Sequence, residues 1–296
     1  MTSGPGPIAD RFRQLGTFLE ATAPFWRPRA FYELPLPWEA ELPAVLRFLE
    51  ALSDDELDRL DLGGEWALSA PSPLRDWAAQ GRALAELVPL TVGDLRFGPH
   101  DGLGIKGRKA AQVERFASAI SAQAPRPDAV VDWCAGKGHL GRFVARSLGV
   151  PLVAVERDPA LCAAGAAFAS AQGLQARFEP TDALGPAAAA ELTPGRLAIA
   201  LHACGDLHAA LIEQTATTSL ALAPCCFGRA LTADRQARLL SAAGRASRLV
   251  LDEADLRLVH EHPSAGGEAE APRLRERQAY RLGLDLWFRA HGETGY

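Results

Sequence analysis

The residues with most chemical potential lie in Val130-Val131-Asp132-Trp133-Cys134-Ala135-Gly136-Lys137-Gly138-His139-Leu140-Gly141. An apolar run passes through small residues into a helical pattern, so backbone N–H groups at a helix start can approach a ligand closely. Gly136, Gly138 and Gly141 satisfy G-x-G-x-x-G, and Glu156 stands twenty residues beyond Gly136. By spacing alone this fits a dinucleotide fingerprint. Further along, Asp182, then His202-Ala203-Cys204-Gly205-Asp206, then Cys225-Cys226 supply carboxylates, an imidazole and thiols.

These groups need a frame. From about Asp128, short apolar runs alternate with Ala-rich helical stretches, the pattern of a parallel sheet with crossover helices. Expected strands are 129–133, 152–156, 176–179, 196–202, 220–224, 248–252 and 280–289, with helices near 140–147, 159–172, 206–215 and 232–243. The last two strands have no room for a helical crossover and read as a hairpin-like pair. The expected fold is therefore α/β and Rossmann-like, mostly parallel with one antiparallel C-terminal strand. Residues 1–100 read as a separate helical domain and 101–296 as the sheet domain. In the first of these, Leu42, Val45, Leu46, Leu49 and Leu52 recur at helical spacing, Ser53 and Glu56 form a capping box, and Ser72-Pro73 opens a helix around Trp77 and Leu84. Its aromatic residues Phe25, Trp26, Phe31, Tyr32 and Trp38 read as packing rather than as a substrate surface.

Asp132 discriminates between ligands for the glycine loop. A carboxylate ending the first strand repels the diphosphate of NAD and attracts the cationic ammonium of S-adenosylmethionine. The antiparallel strand expected at the C-terminus points the same way. In that reading Asp132, Cys134, Gly136, Lys137, Gly138 and His202 surround the cofactor. Glu156 accepts from both ribose hydroxyls and Asp182 from the adenine amino group. An NAD-dependent oxidoreductase and a non-catalytic module of the same fold remain as alternatives.

Over roughly residue 102 to the C-terminus, the sequence resembles class I S-adenosylmethionine-dependent methyltransferases, with Cys134 in place of the first glycine of their D-x-G-x-G-x-G loop. Asp132 to Leu140, Leu201-His202-Ala203-Cys204-Gly205-Asp206-Leu207 and Cys225-Cys226 look like one branch. That branch holds proteins related to the glutathione S-transferase C-terminal domain-containing and ribosomal RNA adenine dimethylase domain-containing proteins. More distantly the motifs are similar to those of tRNA acceptor-stem 2′-O-methyltransferases, although Cys225-Cys226-Phe227-Gly228 lacks their paired histidines. The resemblance implies methyl transfer, with RNA (tRNA or rRNA) as first-choice acceptor and a protein side chain or small molecule as the alternative.

Strand four should deliver His202, Cys204 and Asp206 beside the transferable methyl. His202 is the expected general base, and Asp206 a second candidate that as a helix-start residue also reads as an N-cap. Cys204 and Cys225 are placed on the acceptor side. A thiolate nucleophile at Cys225 and a zinc site using His202, Cys204, Cys225 and Cys226 are both set aside: adjacent cysteines seldom fit one tetrahedral ion, and no C-x-x-C is present. No metal is expected. His260-Glu261-His262 reads as a solvated loop.

Of 31 basic residues only three are lysines, and Lys106, Lys109 and Lys137 share one short window. Lys106 and Lys109 lie three apart on one helix face and are the expected phosphate contacts of an RNA, with Arg273, Arg275, Arg277 and Arg281 as a second basic rim. Against RNA stand the net charge of −5 and pI of about 5.8. With 48% hydrophobic and 23% charged residues the 296-residue chain is no disordered tail. It shows neither a secretory signal nor an apolar run of membrane-spanning length. Five unpaired-looking cysteines complete the expectation of a cytoplasmic protein that uses no membrane. Spacing says nothing about oligomeric state.

Overall fold

A computed structural model describes residues 7–29, 33–61, 69–98, 101, 105, 107–123, 126–215, 218–260 and 271–292. Phe31, Tyr32, Lys106, Glu261 and His262 lie outside the described residues. By contacts the chain divides into two compact units, one of residues 88–240 and one that joins 1–87 to 241–296.

The 88–240 unit starts with helix α5 (Gly107–Gln123) and then alternates strand and helix: β1 (Ala129–Trp133), α6 (His139–Leu148), β2 (Leu152–Glu156), α7 (Pro159–Ala171), β3 (Ala176–Pro180), α8 (Pro186–Ala189), β4 (Arg196–Leu201), α9 (Asp206–Gln214) and β5 (Ser219–Ala223). The strands lie in the order β3-β2-β1-β4-β5 and every pairing is parallel. The reversal of order at β1 and β4 opens the crevice where such sheets bind ligands.

All five residues of β1 are buried, as expected of a strand covered on both faces. Alternation sends Val130 into a cluster with Val113, Ile120, Leu140 and Phe143, while Val131 and Trp133 join Val155, Ala198 and Leu211 in another. Asp132 shares the face of Val130 and thus lies under α6. Gly141 makes that approach possible: a Cβ there would fall 2.7 Å from the Cβ of Asp132 and 2.7 Å from Leu152 Cδ1.

The other unit contains α1 (Pro7–Trp26), α2 (Pro43–Glu50), α3 (Asp54–Asp61) and α4 (Leu74–Ala85). The capping box forms, with Ser53 N–H donating to Glu56 Oε2 at 2.9 Å and Glu56 N–H to Ser53 Oγ at 3.4 Å. Phe25 packs at a tilt against Trp38 in the local core, 5.0 Å between ring centres, and against Trp77 at 5.4 Å.

Three expected elements fail. Residues 280–289 are not an antiparallel strand but part of helix α12 (Ala271–Ala290). The alternation of Tyr280, Leu282, Leu284 and Leu286 mimics a strand, yet these side chains stay exposed (Tyr280 73%, Leu286 58%). The run of Arg, Leu, Glu, Gln and Ala favours helix, and Arg289 Nε donates one turn back to buried Asp285 at 2.8 Å. The sheet of the described residues is accordingly wholly parallel. Residues 248–252 form no strand either; Asp252 Oδ1 accepts from Asp255 N–H at 2.9 Å and so caps α11 (Glu253–His260). Between 232 and 243 the helix shrinks to α10 (Ala242–Arg245). Before it, Thr232 N–H donates to the Gln236 carbonyl across a turn with Arg235 at φ +60°, and Arg238 is held by Glu213 at 2.8 Å. Turn chemistry and an ion pair there override helix propensity.

Candidate functional site

The glycine loop runs from the end of β1 to the start of α6 with Cys134 (φ +59°), Gly136 (+58°) and Gly138 (+66°) in the left-handed region. At Gly138 the neighbour decides the residue type as well: a Cβ would sit 2.6 Å from Phe178 Cζ. Gly136 has nothing within 4 Å of where its Cβ would be, so the loop's outer side is open. Cys134 is a non-glycine residue in a costly conformation, a feature common at ligand sites.

Glu156, ending β2, fastens this loop. Its Oε2 accepts from Gly136 N–H at 2.8 Å and its Oε1 from Asp158 N–H at 3.0 Å, leaving further lone pairs for a ligand. Asp182 follows β3 in a turn where its Oδ1 accepts from Leu184 N–H at 3.0 Å. Both carboxylates line a cavity of about 500 Å³ with Cys134, Val155, Arg157, Asp206 and Leu207. Three carboxylates and one guanidinium make this wall anionic. Burial, followed by Glu156 and Asp132, pushes the Cys134 thiol up to about 12, so it lines the cavity as a neutral group.

Asp132 does not reach that wall. It lies beneath the loop, 3% exposed, with Oδ2 accepting from Gly141 N–H at 2.9 Å. Burial pushes its carboxyl up to about 7, against the lowering effects of the Gly141 N–H and of Lys109. Asp132 thus braces strand against helix.

Lys137 offers its carbonyl to Arg142 Nε at 3.3 Å. Sequence reasoning missed Arg142, a buried cation on an apolar helix face. It also donates to Gln172 at 2.8 Å and to His139 Nδ1 at 3.0 Å, and stacks 4.9 Å over Phe168. Burial, then Arg142 itself, pushes His139 down to about 4, which keeps the imidazole neutral as an acceptor. No spacing signal marks Arg142.

On the acceptor side the chain beyond β4 and β5 converges. His202 is left-handed (φ +66°), and its N–H bonds the Ala223 carbonyl at 3.1 Å, extending the pairing past the strand ends. Its exposed ring meets Gln112 Oε1 at 3.0 Å through Nε2, which leaves Nδ1 with a lone pair. Gln112 is a second missed residue; its position three beyond Lys109 on α5 was the available signal. Burial and then Lys109 hold His202 below the ordinary histidine range. Lys109 lies one turn before Gln112 on the same helix. Asp206 does not cap α9, because Gly205 holds the N-cap position; its carboxylate lies 3.3 Å from Arg238. Cys204 Sγ approaches Cys225 Sγ at 3.3 Å, and Cys225 Sγ approaches Cys226 Sγ at 3.5 Å. Burial opposes ionisation of Cys204, but N–H and thiol donors from Cys225 and Cys226 outweigh it and lower its pKa. Cys225 is pushed up to about 12 by burial and by its sulfur neighbours.

No helix among the described residues is long and apolar enough to cross a membrane. A curated relative, the glutathione S-transferase C-terminal domain-containing protein homolog of Drosophila pseudoobscura pseudoobscura, is 28% identical over 125 residues, covering 41% of this chain. The matched stretch is 20% of that relative's length, so the chain spans about a fifth of it. Residues 108–231, which include the five strands of the sheet and the cavity lining described above, match the family model of a methyltransferase domain.

Proposed function

We propose that the chain is an S-adenosylmethionine-dependent methyltransferase. The observation that carries this is the anionic cavity at the carboxyl ends of β1 to β4, where Glu156 and Asp182 flank an open glycine loop. The wall fits the cofactor's groups. Glu156 has lone pairs to spare for a ribose diol, and Asp182 for an exocyclic amine. The cavity volume is in the range for ligands of this size. A dinucleotide diphosphate would face Glu156, Asp182 and Asp206 with only Arg157 to offset them, which disfavours the oxidoreductase alternative.

When bound, S-adenosylmethionine supplies a methyl group on a sulfonium centre. The chain's part is alignment and, for a protonated acceptor, removal of a proton. Gly136 and Gly138 let the backbone come close, and Asp132 adds negative field from beneath. His202, shifted toward the neutral form by partial desolvation and by Lys109, offers the Nδ1 lone pair to an acceptor hydroxyl or amine.

For the acceptor, RNA is the favoured class. It is supported by the resemblance of the His202-Ala203-Cys204-Gly205 and Cys225-Cys226 motifs to those of RNA-modifying enzymes, and by exposed Lys109 on the helix that carries Gln112 to His202. A protein or small-molecule acceptor is the alternative. Tritiated S-adenosylmethionine incubated with separated RNA, protein and small-molecule fractions should label RNA; label in another pool replaces the acceptor. Calorimetry should show binding of S-adenosylhomocysteine and none of NADH, and the reverse result overturns the cofactor assignment.

A further inference from the structure

Parallel strands that end level deliver the residues after them to one place. Leu201 of β4 pairs in register with Ala223 of β5, and the His202 N–H to Ala223 carbonyl bond carries the alignment one residue further. Cys204 and the Cys225-Cys226 pair therefore emerge side by side. Their three Sγ atoms all lie within 4.8 Å of one another, with two separations of 3.3 and 3.5 Å. Cys204 Sγ also accepts the Cys225 N–H at 3.3 Å, the kind of donor that steadies a coordinating sulfur.

We propose that Cys204, Cys225 and Cys226 together bind one zinc ion. Zinc–sulfur bonds of about 2.3 Å in a tetrahedron set neighbouring sulfurs about 3.8 Å apart; the separations of 3.3 and 3.5 Å fall a few tenths of an ångström short of that, a gap that small side-chain rotations close. Sequence spacing argued against this, because adjacent cysteines ordinarily point apart. Here Cys226, at φ −126° and ψ 78°, leaves the extended path, and both sulfurs turn to the same side. Each thiol gives up its proton to solvent as it binds. Zinc is the favoured ion because thiolates suit a borderline-soft metal that needs no redox partner. The exposed Cys225 leaves a path for the ion to arrive. With three protein ligands the ion would have a fourth position for solvent, and it would tie the loops after β4 and β5 together.

The full chain, purified anaerobically under reducing conditions and dialysed against metal-free buffer, should retain about one zinc per chain by plasma mass spectrometry. Cys204→Ser, Cys225→Ser and Cys226→Ser should each lose the metal, whereas Cys162→Ser should keep it. Cobalt(II) added to the demetallated wild-type chain should give thiolate-to-cobalt charge transfer in the near ultraviolet, a readout that does not depend on any variant folding or on activity. A reduced wild-type chain that takes up neither zinc nor cobalt overturns the proposal. So does a Cys226→Ser protein with undiminished zinc, or isolation of a metal-free chain carrying a Cys204–Cys225 disulfide.

Discussion

The carboxyl of Asp132 is buried at a cost, and the cost can be measured. Burial raises its pKa from 3.8 to about 7. Because the raised value belongs to the folded state, the native protein holds this proton more tightly than the unfolded chain does. Stability is therefore unaffected below about pH 4 and declines as pH climbs from about 4 to about 7, by about 4 kcal/mol in all at 1.36 kcal/mol per unit. Asp132→Asn keeps an oxygen for the Gly141 N–H and abolishes the titration. Its amide hydrogens lack a partner, an offset of about 1–3 kcal/mol that is constant with pH. The diagnostic is thus a double difference: the stability of Asp132→Asn relative to wild type should rise by about 2–3 kcal/mol between about pH 5 and pH 8. Hydrogen exchange of the β1 amides, with both proteins compared at the same pH so that intrinsic rates cancel, reads this directly for the unit that holds the sheet. The same variant should bind S-adenosylhomocysteine more weakly, by about 1 kcal/mol, because a nearby negative charge is gone. A relative stability that stays flat with pH would refute the idea that Asp132 is charged at a cost in the resting protein.

Glu156→Gln should weaken S-adenosylhomocysteine by about 1–3 kcal/mol in calorimetry, since a carboxylate that accepts from a ribose diol is replaced by an amide with a donor facing it. Gly138→Ala should destabilise the 88–240 unit by about 1–3 kcal/mol in urea unfolding, through both the left-handed backbone and contact with Phe178. Pairing it with Phe178→Leu should recover part of that loss, and no recovery would assign the whole effect to the backbone. If His202 removes a proton, the acid limb of the pH–rate profile should fall below about pH 6.5, the direction set by burial and Lys109. His202→Ala should abolish that limb, and a limb that persists in the variant belongs to another group.

Much of the fold was legible because its signals are local. Each of β1 to β5 falls within a residue or so of its expected range, and β1, β2 and β4 read as apolar runs because strands covered on both faces tolerate little else. The capping box at Ser53 declares itself through side chains three residues apart, and the glycines of the loop through their spacing. Period-two alternation is a weaker signal. In 280–289 it coincided with helix-favouring residues, and with nothing in the sheet paired to it the helix won. Residues 232–243 went the other way, because Glu213 holds Arg238 in an arrangement that no window of sequence reveals.

The candidate site divides along the same line. Sequence alone determined which residue types stand at the strand ends: Glu156 after β2, Asp182 after β3, His202 and Cys204 after β4, and Cys225 after β5. Spacing along one chain specifies them, because each strand end is a local event. Only the tertiary structure decided which of these groups meet. It sank Asp132 beneath Gly141 instead of into the cavity wall, brought Gln112 to His202 across ninety residues, and turned three cysteines toward one point. Those are consequences of strand order, register and the direction of each side chain across the sheet, which depend on contacts between segments distant in the chain.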